Sequence, residues 1–346
     1  MDSLKGSVEL DLLRVGFIGC GRHATKVLFP CLHLAKMDLA AVCDVNEARA
    51  ARNARWFGAE RAYTDHRRML EEEPLDAVLI CTGPQTHARL TLDAIERGLP
   101  VFVEKPPAVT LAEAVHIREA SERAGVPVMV GTMKRHALIY RRLKETIDQP
   151  AFGPVSAVQA RMAVGWKNGS GFALLLDMGI HYLDLLRYLL GDITQIAHQK
   201  YERDSTHISY AILLRFASGA VGTLAISDQH GWTQPNERIE ITGDGQFAVA
   251  DNLVSLIHYR SGGTAQTWTP GLSIPHDGNH SLFLGGFAGE LQAFARAVKT
   301  GQPVETSIAD ACAALELIHA LEPAENYQKG PQSFDHWQAE NEWFEL

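Results

Sequence analysis

Residues 14–28 read RVGFIGCGRHATKVL, from Arg14 to Leu28, and the fold is decided there. Residues 14–18 are a short, β-rich apolar run. It runs straight into Gly19-Cys20-Gly21-Arg22-His23-Ala24, a G-x-G-x-x-A string, with a plausible helix after it. In that setting Gly19 permits a tight turn, Gly21 lets a diphosphate approach the backbone, and Ala24 lets the helix pack on the strand. The helix start then offers unpaired N–H groups and the positive end of its dipole to an anion. Asp44 stands 20 residues beyond Ala24, at the end of the next apolar run, 39–43 (LAAVC). A carboxylate there hydrogen-bonds adenosine-ribose hydroxyls and repels a 2′-phosphate. The string therefore predicts a dinucleotide site made by Gly19, Cys20, Gly21, Arg22, His23 and Asp44. NAD is the expected cofactor, with NADP as the alternative because Arg49, one helical turn on, can reach a phosphate.

Working outward, the apolar runs 77–81 (AVLIC), 101–103 (VFV) and 127–130 (PVMV) alternate with helix-like segments at 47–57 and 87–97. A Thr110-x-x-Glu113 capping box opens another helix. Apolar runs without internal alternation fit parallel strands buried on both faces. Residues 12–131 are thus expected to form a doubly wound α/β domain of Rossmann type. Residues 132–346 read differently. Helices are expected at 139–147, 173–190, 287–299 and 308–321, and strands at 155–163, 208–216, 220–227, 238–242, 247–250 and 254–259. Turns such as Gly243-Asp244-Gly245 separate strands without intervening helices, as in an antiparallel meander. The second block is expected to be an α+β domain with an open, mainly antiparallel sheet that binds substrate. The uncovered face of such a sheet points to a homodimer or homotetramer.

Composition narrows the function classes. A length of 346 residues suits about two domains at roughly 150 residues each. Lys plus Arg number 32 against 41 Asp plus Glu, giving −9 with no basic block, which excludes general nucleic-acid binding through phosphate neutralisation. The five cysteines form no CxxC pair, so buried free thiols are expected rather than a disulfide framework or a zinc site. The opening MDSLKGSVELDLL has no apolar run of signal-peptide length, and no stretch approaches the roughly 20 apolar residues of a membrane span. A cytoplasmic protein without a membrane partner is expected.

In doubly wound sheets, ligands bind at the carboxyl ends of the strands. Thr82, Gly83, Pro84 and His87 follow one strand end, and Glu104-Lys105-Pro106 follows another; all but Pro106 are candidate cofactor contacts. Lys105 is also a candidate to polarise a substrate oxygen, although most such strings are a solvated lysine before a proline turn. The helical string LLLDMGIHYLDLLRYLLG at 174–191 carries Asp177 and His181 at i, i+4, with Asp184 one turn further. Neutral imidazole is the natural base for a hydroxyl proton near neutral pH. For a lone histidine a satisfied core residue is the commoner outcome, and no third ligand completes a metal site. Gly179 inside this helix costs about 1 kcal/mol relative to alanine, which points to close approach by a backbone or a ligand. Arg135, Trp166 and His230, with Lys134 and His280, lie on segments suited to line a substrate cleft.

The Gly19-Cys20-Gly21 loop, Asp44, CTGPQTH, EKP at Glu104 to Pro106, and D-x-G-x-H-x-x-D from Asp177 to Asp184 together resemble the Gfo/Idh/MocA oxidoreductases. The resemblance runs from about residue 14 to 322 in the same order and takes in VMVGTMKRHALIYRRLKE and FAGELQAFARAVKTGQPV. It implies a two-domain NAD(P)-dependent dehydrogenase acting on a sugar, cyclitol or related polyol, with Lys105, Asp177 and His181 around the reacting carbon. The loop GPQTH and Pro107 after EKP depart from the commoner pattern and loosen the inference about substrate. Residues 326–346, acidic and with Trp337, Trp343 and Phe344, match nothing in it. Other readings of the same residues are an NADPH-dependent keto-sugar or aldehyde reductase, a glycosidase- or epimerase-like enzyme that recycles bound NAD, and a dinucleotide-binding sensor.

Overall fold

The run 14–18 becomes the centre of a parallel sheet because its side chains are apolar on both faces. In the computed structural model, which describes residues 12–231, 235–271 and 281–323, β1 (Leu13–Ile18) is buried everywhere except at Arg14. It lies between β2 (Met37–Cys43) and β4 (Ala77–Ile80). With β3 (Arg61–Tyr63), β5 (Val101–Glu104) and β6 (Val128–Gly131), these strands form a six-stranded parallel sheet ordered β3-β2-β1-β4-β5-β6. The order reverses between β1 and β4, the doubly wound arrangement of a dinucleotide fold. Connecting helices are α1 (Phe29–Leu32), α2 (Glu47–Phe57), α3 (His66–Glu72), α4 (Pro84–Ile95) and α5 (Leu111–Ala124). The box before α5 closes reciprocally, with the Glu113 N–H donating to Thr110 Oγ1 at 3.2 Å and the Thr110 N–H to Glu113 Oε2 at 3.1 Å.

The remaining strands are β7 (Ala157–Ala163), β8 (Ile193–Asp204), β9 (His207–Phe216), β10 (Val221–Ser227), β11 (Asn236–Thr242), β12 (Phe247–Asp251), β13 (Ser255–Arg260) and β14 (Thr264–Trp268). They form an eight-stranded sheet ordered β14-β13-β12-β11-β7-β10-β9-β8. Every neighbouring pair is antiparallel except β7 with β10. Alternation along β9 buries Ile208, Tyr210, Ile212, Leu214 and Phe216 and exposes Ala211, Leu213 and Arg215. Such period-two burial is that of a sheet covered on one face. The remaining helices are α6 (Leu138–Ile147), α7 (Gly171–Leu174), α8 (Ile180–Leu190), α9 (Ser281–Leu284), α10 (Phe287–Thr300) and α11 (Ile308–Leu321).

Contacts divide the described chain into two units that interleave along the sequence. One takes residues 12–104, 117–131 and 288–307; the other takes 105–116, 132–287 and 308–323. The sequence suggested a single boundary at 131/132. Two of the extra crossings bracket residues 105–116, and two arise because α10 belongs to the parallel-sheet unit, where Phe294 meets Phe102 at 5.9 Å between ring centroids and the Thr306 hydroxyl donates to Val130 O at 2.7 Å.

Five elements escaped the sequence patterns: β3, α3, β8, β14 and the short α9. The three strands are three of the four sheet edges, and in them polar, exposed residues replace an apolar run. Two expected α-helices also contain wide π-turns, at Ala24–Leu28 after the glycine loop and at Leu175–Gly179 before α8. Residue 280 and the tail 326–346 lie outside the described residues.

Candidate active site

Gly19 has φ +103°, and a Cβ there would sit on the Cys81 carbonyl, 2.7 Å from its carbon. Only glycine lets β1 turn this tightly against the end of β4. The next residue is buried, and its N–H donates to Asp44 Oδ2 at 2.7 Å. Asp44 Oδ1 accepts the Asn46 N–H at 2.8 Å, while Asn46 itself caps α2 by accepting the Arg49 N–H at 3.1 Å. Asp44 thus ties the glycine loop to the start of α2 and leaves the capping to its neighbour. Burial pushes the Cys20 thiol up to about 12, so it adds no negative charge to the loop. A Cβ on Gly21 would meet nothing within 4 Å. That open side, next to the loop amides, fits the diphosphate of a dinucleotide.

His23 Nε2 lies 3.2 Å from Glu104 Oε1, and the His23 side chain is 41% exposed. Burial draws the adjacent Arg22 guanidinium down from its ordinary value. Gly83 precedes Pro84 at the start of α4. His87 is buried, with Nε2 3.0 Å from Thr82 O and 3.2 Å from Thr82 N. Its ring therefore ties the loop after β4 to the first turn of α4.

In the other unit, Lys105 Nζ donates to Asp177 Oδ1 at 2.6 Å and to Asp177 O at 3.0 Å. The Trp166 indole N–H reaches Asp177 Oδ2 at 3.5 Å. Lys105 and Asp177 keep 13% and 19% of their side chains exposed, so a polar ligand can reach a pair that is otherwise shielded. Asp177 sits on the wide turn and His181, buried, lies one turn on in α8. The segment begins at Ser170, whose Oγ accepts the Ala173 N–H at 3.1 Å. At Gly179 the close neighbours are the side chains of Leu175 and Ile226, 3.2 and 3.5 Å from a built Cβ, rather than a backbone.

Arg135, on a segment suited to line a substrate cleft, is held by two carboxylates. Its guanidinium grips Asp184 bidentately, Nε to Oδ2 at 2.7 Å and Nη2 to Oδ1 at 2.6 Å, with Asp310 Oδ1 3.1 Å from Nη2. Only 9% of the Arg135 side chain is exposed. Lys134 is likewise buried, its Nζ 2.5 Å from Glu237 Oε2, an oxygen that also accepts the hydroxyls of Tyr140 and Tyr182 at 2.9 and 3.0 Å. The His230 N–H donates to Val164 O at 2.9 Å, beside the strand end that leads to Trp166. A charged Asp184 within an apolar helix signalled that a cation must meet it, but nothing local named which one. All five cysteines are buried free thiols. Among the described residues no three His, Cys, Asp or Glu side chains gather as a metal site would need, and no helix is long and apolar enough to cross a membrane.

Comparison with known proteins agrees with this architecture. Residues 13–132 match the oxidoreductase family with an NAD-binding Rossmann fold, and residues 140–249 match the GFO/IDH/MocA C-terminal domain. The chain is 30% identical to an inositol 2-dehydrogenase of Burkholderia cenocepacia, over 90% of this chain and 96% of that protein. It is 31% identical to a D-apiose dehydrogenase of Paraburkholderia graminis, over 73% and 72% respectively. A levoglucosan dehydrogenase, solved with NADH and levoglucosan, shares the fold with a TM-score of 0.80 at 22% identity, covering 90% of this chain and 97% of that one. A glycine loop tied to Asp44, a doubly wound sheet and an eight-stranded mostly antiparallel sheet, in this order along the chain, make the protein a member of the Gfo/Idh/MocA family of NAD-binding oxidoreductases.

Proposed function

We propose that the protein is an NAD-dependent dehydrogenase that oxidises a secondary hydroxyl of a sugar, cyclitol or related polyol. The observation that carries this reading is the Lys105–Asp177 pair at 2.6 Å, part-shielded and followed by His181 along the helix. NAD, when bound, supplies the acceptor for the substrate hydride. Gly19, Cys20, Gly21, Arg22, His23 and Asp44, with Thr82, Gly83 and Pro84, would hold it. Asp44 is acceptor-only when ionised, so its charge favours ribose hydroxyls over a 2′-phosphate. His181 takes the proton of the reacting hydroxyl, and Asp177 orients that hydroxyl or its neighbour. Lys105 donates to the developing alkoxide from a position that Asp177 already fixes. Trp166 holds the second oxygen of Asp177 and offers an apolar ring to a substrate carbon face. The dehydrogenases of inositol and D-apiose among its relatives agree with a polyol substrate.

The test is a panel containing myo-inositol, D-apiose and other polyols with NAD and with NADP, following reduced cofactor. Lys105→Ala and His181→Ala should each lower turnover by about 10²–10⁴-fold while leaving the Kd for NAD nearly unchanged. Normal turnover in either variant refutes the assignment, and turnover without net NADH would favour a recycled cofactor.

We also infer that the uncovered face of the eight-stranded sheet pairs with a second copy of the chain. Leu213 is 60% exposed there opposite Thr223, and Val221 46% opposite Arg215, exposed apolar side chains of the kind that mark protein contacts.

A further inference from the structure

Asp177, His181, Asp184 and Tyr188 fall at i, i+4, i+7 and i+11, one stripe of the helical segment. The carboxylates on either side of His181 each have their own cation. Lys105 meets Asp177 above it, and Arg135 meets Asp184 below it, its guanidinium also lying 5.7 Å from the Tyr188 ring centroid. Asp184 and His181, three residues apart on a regular helix, have Cβ atoms about 5–6 Å apart. A bare carboxylate at that range in a buried site would hold the imidazole as its cation, and an imidazolium cannot accept a proton.

On the reading of His181 as the base, we propose that Arg135 is a positioning residue for it: by engaging Asp184 bidentately, Arg135 cancels that charge and keeps His181 neutral and able to take a hydroxyl proton. The same grip fixes the helix that carries the imidazole, since a two-point fork sets orientation as well as charge. Burial pushes the Asp184 carboxyl up, while Arg135, and to a smaller degree the Thr132 side chain, oppose it. Among the described residues the charged groups around the stripe are Asp177, Asp184 and Arg187 on the helix segment itself, Lys105 and Arg135, Asp310 from α11, which Arg187 also meets, and the Lys134–Glu237 pair that reaches Tyr182. Of these carboxylates, only Asp184 combines helix adjacency to His181 with nearly complete burial, so its neutralisation weighs most.

The experiment titrates His181 directly, by NMR of protein labelled at histidine Cε1, with the resonance assigned by its loss in His181→Gln. Arg135→Gln strands the Asp184 charge and should move the His181 midpoint up by about 1–2 pH units. Asp184→Asn removes the negative charge nearest His181 while Arg135 keeps Asp310, and should move the midpoint down, and the double variant should return it close to the parent value. Arg135→Lys keeps the charge without the fork and should leave the midpoint near the parent, which keeps the test open where the glutamine variant does not fold. Opposite shifts restored in the double variant support the proposal, because loosened packing would not reverse sign with the charge removed. A midpoint unmoved in Arg135→Gln and Asp184→Asn, or moved the same way in both, overturns it. Full turnover in His181→Ala would instead overturn the reading of His181 as the base, whatever the midpoints do.

Discussion

Replacing either glycine of the phosphate loop by alanine should separate folding from cofactor binding, because the two positions differ in what a methyl group meets. At Gly19 the backbone has φ +103° and the new Cβ would stand 2.7 Å from the Cys81 carbonyl carbon and 2.9 Å from Thr82 Cγ2. The strained backbone costs about 1–3 kcal/mol, and forcing β1 away from the end of β4 costs about 1–3 kcal/mol more. A loss of about 2–6 kcal/mol at roughly 2–4 °C per kcal/mol lowers Tm by about 5–20 °C. At Gly21 the new Cβ meets nothing within 4 Å, so Gly21→Ala should fold and melt like the parent. Its methyl group would occupy space proposed for the diphosphate, and a misfit of about 1–3 kcal/mol weakens NAD roughly 5- to 150-fold. Thermal unfolding without cofactor and calorimetric titration with NAD measure the two effects separately. A Gly21→Ala protein that binds NAD with the parent Kd refutes the placement of the diphosphate; a Gly19→Ala protein with the parent Tm refutes the strain account.

Asp44→Ala should weaken NAD and reduce discrimination against NADP, since both the ribose acceptor and the repelling charge go; an unchanged NAD/NADP ratio of Kd values counts against its role. Glu290 on α10 is fully buried with no hydrogen bond to either carboxyl oxygen, and burial, reinforced by the charge of Glu104, raises its carboxyl well above the usual carboxylate range. The unfolded chain ionises near pH 4.5 while the folded one stays protonated, so this contribution is complete below that pH and is lost as pH rises toward the folded value. The Tm advantage of Glu290→Gln over the parent should therefore grow between pH 5 and 8, and parallel Tm curves would contradict it. Leu213→Arg on the open sheet face should shift the protein to a smaller species by light scattering while leaving its circular dichroism unchanged; an unaltered mass would remove this face as the contact.

The buried parallel strands were legible because each strand covered on both faces writes its own apolar run, as in β1, β4, β5 and the covered edge strand β6. The other three edges were not legible, because β3, β8 and β14 carry the polar residues that keep an unpaired edge from aggregating. The wide turns at Ala24–Leu28 and Leu175–Gly179 also left no local mark, since a π-turn and an α-turn suit the same residues. For the site, the glycine string and the Asp177–His181 spacing were visible, whereas the partners of Arg135 and Lys134 were not. Arg135 was read only as lying on a segment suited to line the substrate cleft, because its partner Asp184 lies 49 residues away along the chain.

By itself the sequence determined what short-range geometry controls: a parallel sheet, a turn only glycine tolerates, an acidic residue at the next strand end, and an apolar helix with two polar side chains one turn apart. These follow from backbone sterics and from the periodicity of burial, which act over a few residues. Tertiary structure alone decided which charges meet. Lys105 reaches Asp177 across 72 residues, and Lys134 reaches Glu237 across 103. The chain also crosses between the units several times instead of dividing once. Burial of a charge is tolerable only beside its counter-charge. Which counter-charge arrives depends on the packing of elements distant in sequence, and that no local pattern records.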